Sequence, residues 1–454
     1  MTMHANTRRF LLPIALLLFI FLIAACASKN TNQSEQNNDT NTNKTATEQK
    51  ETKKDPVELK LAVSGMTEEG FAERFKDPVE EKFDHITLTH IDAHPGNAEQ
   101  LDEMIAKKNI PDLWITSTGS STGVFQKGLA YDLRELFHLT DFDINRIEGN
   151  IMAELIARSN EFLGPEHETV GAFPLKRGLS AMYYNKDIFD LFGVLYLEDD
   201  MTWDEVAELA ARFSQEKDGV QYHGVNVHFH SAFTQLGVDH QDENGNPQFD
   251  TEPAFRKMVD LMEELFYIPG NYPETPNDMN NVFFEGKAAM HVTYDTTKKY
   301  AEAPFEWDIV TYPTWEHLPG ISPTSNSEVI GMTNTSEHPE DAFLVLDFLL
   351  SDEYQTEFSK KGHASPLVNE EIHKVFGEEE PAYDGVNIES LFKNTPQKKP
   401  DNRFKIEHSL EAAGKPWHGR VSDDFYQSGL NSPEFIRVLQ EEGEITLKEL
   451  EGKN

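Results

Sequence analysis

The residues of this chain whose types and spacing could do chemistry fall into a few short tracts. His228 and His230 stand two apart in the run His223-Gly224-Val225-Asn226-Val227-His228-Phe229-His230. On a strand that alternation puts both rings on one face, as a zinc pair requires. Zinc needs three or four ligands, and the nearest others, Asp239 and His240, have no diagnostic spacing, so no metal and no cofactor is expected. Asp242-Glu243-Asn244-Gly245-Asn246 has a superficial likeness to a calcium loop but lacks its closing glutamate, and reads as an Asn-Gly turn. The 79 acidic side chains could supply the carboxylate pair of a glycosidase, yet no motif nominates one. The one cysteine, Cys26, stands directly after Ala24 and Ala25.

The segment before that cysteine sets the compartment. Arg8 and Arg9 precede an apolar run from Phe10 to Ile23, too short to span a bilayer comfortably, and small residues follow it. This is the pattern of a secretory signal. Ile23-Ala24-Ala25-Cys26 resembles the lipobox of bacterial lipoproteins, which implies that Cys26 is diacylated and becomes the new N-terminus. One acyl chain anchors weakly and two anchor stably. Lipidation of Cys26 leaves the mature chain without a thiol, so cysteine nucleophiles, redox pairs and thiolate metal sites are excluded together. Ala27 to Asp55 carries no aromatic or large aliphatic residue and reads as a flexible tether, with folding expected from Pro56 or Val57.

About 400 residues then remain, more than one core usually serves, so two lobes are expected. The formal net charge of −39 repels phosphate backbones and anionic membrane surfaces, which argues against nucleic-acid binding. The acidity is spread along the chain and suits a solvated surface in salty or alkaline surroundings.

The elements that must position any site follow from periodicity. Val57, Leu59, Leu61 and Val63 alternate as a strand, and Ile86 with Leu88 as another. Phe71, Phe75, Val79 and Phe83 step at helical spacing, with Pro78 expected to kink or end the run. Asn97 and Gln100 form a capping-box pair ahead of Leu101, Met104 and Ile105, with Lys107 and Lys108 in the last turn. Pro111 to Ile115 is a buried-strand candidate. Alternating strands and helices mean βαβ crossovers and a mostly parallel sheet. Ligands of such sheets lie beyond the carboxyl ends of the strands, here at Thr116-Ser117-Thr118-Gly119-Ser120. Downstream, Thr202 and Glu205 make a second capping box, Pro339 opens a helix with Phe343, Leu346 and Leu350 inward, and a charged helix is expected from Ser432. There is no internal repeat and no second apolar span.

Five tracts in order resemble the family-1 extracellular solute-binding proteins of the maltodextrin-binding type. They are Pro111 to Ile115; Phe173-Pro174-Leu175 with Ala181 to Asp187; Met201-Thr202-Trp203-Asp204-Glu205; Phe284 to Met290; and Pro339 to Leu350 with Ser351-Asp352-Glu353. The resemblance implies an α/β, two-lobe, periplasmic-binding-protein-like (type II) fold with a hinge and an interlobe ligand cleft. Lobe 1 is expected to hold 57–172 plus 315–365 and lobe 2 178–308 plus 368–454, with crossings at 172–178, 308–314 and 364–368. Closure about the hinge would bury a solute and present it to the membrane subunits of an ABC permease. The molecule is then a monomer on the extracellular face of the cell membrane, held only by its lipid, and not an enzyme.

The same resemblance nominates the site. A saccharide cleft needs a few placed polar groups among aromatic walls. Ser117 and Thr118 match the loop after the first tract, and Thr293, Tyr294 and Asp295 follow the fourth, where the family places ligand contacts. His228 and His230 are expected to face the cleft from lobe 2. Trp315 is the stacking candidate, Asn326 and Ser327 lie in a ligand-facing loop, and Trp203 is expected to pack. Two other classes stay open: a secreted, lipid-anchored glycoside hydrolase, and a ligand-sensing lipoprotein with no transport role.

Overall fold

The computed structural model describes residues 54–164, 168–272, 279–400, 409–417 and 419–452. They belong to the unit formed by residues 53–454; the signal segment, the lipidation residue Cys26 and nearly all of the tether lie outside the described residues.

Alternation of Val57, Leu59 and Leu61 makes strand β1 (Val57–Ala62), with all three side chains buried. It pairs in parallel with β2 (Ile86–Ile91). The chain between them is helical over 68–82 and buries Phe71, Phe75 and Val79. The run does not end at Pro78. A π-helical stretch, Ala72–Lys76, closes with the Asp77 N–H on the Ala72 carbonyl, and Pro78 opens the next turn where no intrahelical N–H is needed. Helix α1 (Ala98–Ala106) starts at Asn97, whose side chain accepts the Gln100 N–H at 3.0 Å. Gln100 turns away to accept the His94 N–H at 2.7 Å, so this cap is one-sided and not a reciprocal box. Strand β3 (Leu113–Ser117) follows, parallel to β1, then α2 (Gly149–Leu163) and β4 (Phe173–Lys176).

The second half is built from β5 (Ser180–Asn185), α3 (Trp203–Phe213), β6 (His223–Val227), α4 (Phe229–Thr234), α5 (Pro253–Tyr267), β7 (Ala288–Tyr294) and β8 (Trp307–Thr311). Thr202 and Glu205 do form the reciprocal box at the start of α3, whose Trp203, Val206, Ala210 and Phe213 are buried. These strands form a sheet in the order β8-β5-β7-β6, with β6 and β7 parallel and β5 antiparallel to both its neighbours.

Later elements include β9 (Ile321–Ser322), β10 (Glu328–Met332), α6 (Pro339–Leu349), α7 (Asp352–Lys360), β11 (Thr395–Pro396) and α8 (Ser432–Glu451). Strand β10 returns to the first sheet between β3 and β4, giving β2-β1-β3-β10-β4, while β9 and β11 pair in parallel by themselves.

Two separate cores result. One gathers side chains from Val57 to Leu175 and from Val329 to Ile372. The other gathers Leu179 to Tyr312, Ala364, and Phe376 to Leu439, with Trp315 and Leu318 packed on it. The chain therefore passes between the cores beside 172–178 and again near 364–376. The second passage falls later than the expected 308–314. Strand β8 stays hydrogen-bonded to β5, and Trp315 and Leu318 remain on the second core, so the crossing lies between Ser322 and Ser327.

Candidate functional site

Strand direction picks out one place in this fold. In the first sheet β1, β2 and β3 run parallel, and in the second β6 and β7 do. Residues just past the carboxyl ends of β3, β6 and β7 all line a single cavity of about 410 Å³: Thr118 and Gly119, His228, and Tyr294 at the end of β7 itself. Both sheets thus aim their carboxyl ends at one space, where open α/β sheets take ligands. Thr324, Ser325 and Asn326 of the second crossing line it too, as do Glu154 and Arg158 of α2, Phe233 of α4, and Lys399 with Pro400.

Local structure fixes each wall. His228 caps α4, its Nδ1 accepting the Ser231 N–H at 3.3 Å, so the proton of the neutral ring sits on Nε2. Burial, aided by neighbouring His230, holds the His228 pKa down to about 4, so the ring is uncharged at neutral pH. Tyr294 lies 5.1 Å from the His228 ring, and burial pushes its hydroxyl up to about 12, keeping it a neutral donor and acceptor. Phe233 is seated on an aromatic stack, 4.8 Å from Phe255, 4.5 Å from Trp417 and 5.7 Å from His240. Across from it, Arg158 donates to Glu154 at 2.9 and 3.1 Å one helical turn away and to Thr122 at 3.2 Å, with the Lys399 ammonium 3.7 Å from Glu154. Neutral hydrogen-bonding groups, ring faces and a carboxylate held between cations suit a polar, largely uncharged solute.

Of the residues nominated from sequence, Thr118, His228, His230, Tyr294 and Asn326 line this cavity. The other five do not, each for a visible reason. The Ser117 hydroxyl donates to Ser120 Oγ at 3.0 Å. Thr293 is the neighbour of Tyr294 on a strand, so its side chain takes the opposite face and is buried over β5. Asp295 is occupied: Oδ1 accepts Tyr183 at 3.0 Å and the Thr297 N–H at 3.1 Å, and Oδ2 accepts Tyr383 at 2.7 Å. Trp315 packs 6.0 Å from Trp203 on the second core. The Ser327 carbonyl accepts both the N–H and the hydroxyl of Thr118, and its own hydroxyl meets Ser325.

Sequence reading missed Glu154, Arg158, Lys399 and the Thr324–Ser325 pair. The first two stand four apart on an amphipathic helix, a signal any surface ion pair gives. Asp239 and His240 entered only as poor metal ligands, yet both line the cavity. Among the described residues no three His, Cys, Asp or Glu side chains are grouped to hold a metal, and no helix is long and apolar enough to cross a membrane.

A larger groove, about 1010 Å³, is lined mainly by helices, with residues from 66–82, Phe348 and α7 on its walls together with Lys298, His363, Glu379 and Glu380. Ion pairs cross its walls, Lys361 with Glu73 at 2.8 Å, Lys298 with Glu380 at 2.7 Å, and Arg74 with Glu328. Among the described residues no strand residue lines it, although Glu328 at the start of β10 meets Arg74 at its edge.

Residues 149–356 match the profile of the bacterial extracellular solute-binding protein family. A binding protein of Brucella abortus (strain 2308) is 26% identical over 232 residues, 46% of this chain and 54% of that protein. An arabinooligosaccharide-binding protein of Halalkalibacterium halodurans is 26% identical over 248 residues, 51% of this chain and 50% of that protein. The chain thus spans about half the length of the curated relatives it matches. The solved structure of a sugar transporter from Rhizobium etli, in an open conformation, superposes with a TM-score of 0.68 over 86% of this chain and 99% of that one, at 17% identity. Strand order, two cores and the profile match agree with the motifs read from sequence: the fold is the two-lobe α/β fold of the bacterial extracellular solute-binding proteins, and residues 149–356 carry that family's sequence pattern.

Proposed function

We propose that the protein captures a saccharide, most simply a short oligosaccharide, in the strand-end cavity and delivers it to the membrane subunits of an ABC importer. One observation carries this reading: the carboxyl ends of parallel strands from both sheets meet at one cavity whose wall includes the crossing residues 324–326. A solute there touches both lobes and the link between them, so binding and lobe closure are the same event. The neutral His228 and Tyr294, beside the Phe233 face, match the alternating polar and apolar faces of a sugar ring. The name of the Halalkalibacterium relative supports arabino-oligosaccharides as a first choice.

The protein works as a monomer without catalysing a reaction, lipid-anchored through Cys26 on the outer face of the cell membrane. The Ile23-Ala24-Ala25-Cys26 tract and the polar tether support the anchor. Cys26→Ala should leave the protein uncleaved or release it to the medium, and mass spectrometry finding unmodified Cys26 in mature membrane-bound protein would refute the anchor. Thermal-shift titration with mono- and oligosaccharides tests capture; a ligand at 100 times its Kd adds about 2.7 kcal/mol of stability. Peptides or metal ions binding while sugars stay inert would overturn the saccharide assignment. Release of new reducing ends during the same titration would favour the hydrolase class instead.

A further inference from the structure

The side chain of Gln235 is fully buried, yet all of its polar atoms are used. Its Oε1 accepts the indole N–H of Trp203 at 3.0 Å. Its Nε2 donates twice, to the Pro313 carbonyl and to the Ile321 carbonyl, both at 2.7 Å. Its own carbonyl accepts the Gln397 side-chain N–H at 2.9 Å, and Gln397 in turn donates its backbone N–H to Ser322 at 2.9 Å. The side-chain amide therefore joins α3 to the segment 313–321 that leads into the second crossing, and the backbone carbonyl of the same residue adds the segment after β11.

Position gives this junction its meaning. Gln235 caps the end of α4, the six-residue helix that His228 caps at its start and that carries His230 and Phe233 into the cavity. A helix of that length cannot hold its own orientation. On the crossing, everything up to Ser322 is tied to the second lobe through Gln235, Gln397 and β9, whereas Ser327 is tied to the first lobe by Thr118. Only Pro323 to Asn326 lies between, and three of those four residues line the cavity.

Resting on the capture function proposed above, we infer that Gln235 is a positioning residue for ligand capture: it fixes the cavity helix α4 to the segment 313–321 that leads into the second crossing, so that the lobes bend at 323–326 with the His228 and His230 wall held in register. Without it, the wall and the crossing move separately, and a solute that grips the wall no longer draws the lobes together.

The test uses the whole mature protein in three forms. Gln235→Met keeps shape and removes the donors to Pro313 and Ile321. Trp203→Phe removes the indole donor to Gln235, at the cost of a small core cavity, and leaves the bonds to Pro313 and Ile321 in place. Leu439→Ala, in the same core but on α8, is a control for lost stability alone. Calorimetry with the best-binding saccharide should show at least tenfold weaker binding for Q235M, and small-angle scattering a smaller change in radius of gyration on saturation. L439A should stay within twofold of the parent at a temperature where all forms are folded. Q235M binding within twofold of the parent, or L439A losing as much as Q235M, overturns the inference. If Q235M does not fold, W203F takes its place, with a loss of about threefold expected and equality with the parent counting against the role. Should the parent bind no saccharide, the functional reading falls, and hydrogen exchange decides the positioning role by itself. Amides of 229–237 and of 313–322 should then exchange faster together in Q235M and not in L439A, and unchanged exchange in either segment overturns it.

Discussion

The two interlobe spaces of this molecule make an instructive pair. The helix-lined groove is more than twice the volume of the strand-end cavity, about 1010 against 410 Å³, and it is richer in charge. Size and charge would select the groove. Backbone direction selects the cavity, since every βα or strand-end loop of a parallel sheet emerges on one side and only there can several short loops from distant sequence meet. The groove's charges are largely spent on one another, as Lys361 with Glu73 and Lys298 with Glu380 show. In the cavity the neutral His228 and Tyr294 stand beside Thr118 and Asn326.

The sharpest way to break this contrast is to remove a wall from each space. Tyr294→Ala should weaken saccharide binding tenfold or more, roughly 1.4 kcal/mol or above. Tyr354→Ala in the groove should lower the melting temperature and leave the Kd within twofold; the reverse pattern in calorimetry would move the site.

A second test acts on the hinge shared by both spaces. Gly178 lies so close to the second crossing that a Cβ there would stand 2.7 Å from the Asn326 carbonyl oxygen. Gly178→Ala should cost about 1–3 kcal/mol, as overpacking does, and hold the lobes apart in scattering with or without sugar.

Protonation separates the spaces next. His228 in the cavity is held at about 4 by burial and by His230, and His363 in the groove at about 2 by burial and by Arg74, Lys176, Lys298 and Lys361. An unfolded histidine takes its proton near 6.5, so stability is complete above that pH and declines as pH falls through the window below it. At pH 5 each buried ring contributes on the order of 2 kcal/mol of loss. His228→Asn and His363→Asn should each flatten part of the melting curve's pH slope between 7 and 5. Only at His228 should saccharide affinity change with it.

The smallest expected effect concerns Asp295. Asp295→Asn should lose about 1 kcal/mol, one charge-assisted bond from Tyr383, and leave affinity unchanged. Weakened binding would show that the carboxylate reaches the solute after all.

These cases mark what the sequence could reveal. The strands and helices were legible because Val57-Leu59-Leu61 and the Thr202–Glu205 box state their period and start locally. Thr118 was legible as a residue just past a strand end, and His228 and Tyr294 through the family resemblance. Asp295 was not, because its partners Tyr183 and Tyr383 are 112 and 88 residues away. Trp315 was misplaced because an aromatic residue near a crossing gives no sign of which core will claim it. Glu154, Arg158 and Lys399 come to the cavity only through the packing of α2 against a segment some 240 residues later, which no local pattern encodes.

None of the five tryptophans lines the strand-end cavity: Trp417 stands behind its wall, 4.5 Å from Phe233, and Trp203 and Trp315 sit 6.0 Å apart on the second core. A bound sugar has no indole to touch. A change in intrinsic emission on binding then comes from two places, Trp417 as Phe233 shifts against it and the Trp203–Trp315 pair as the crossing moves, so only the second is a gauge of lobe movement. In a Trp417→Phe protein, titrations followed optically and calorimetrically should diverge for a solute that enters the cavity without closing it.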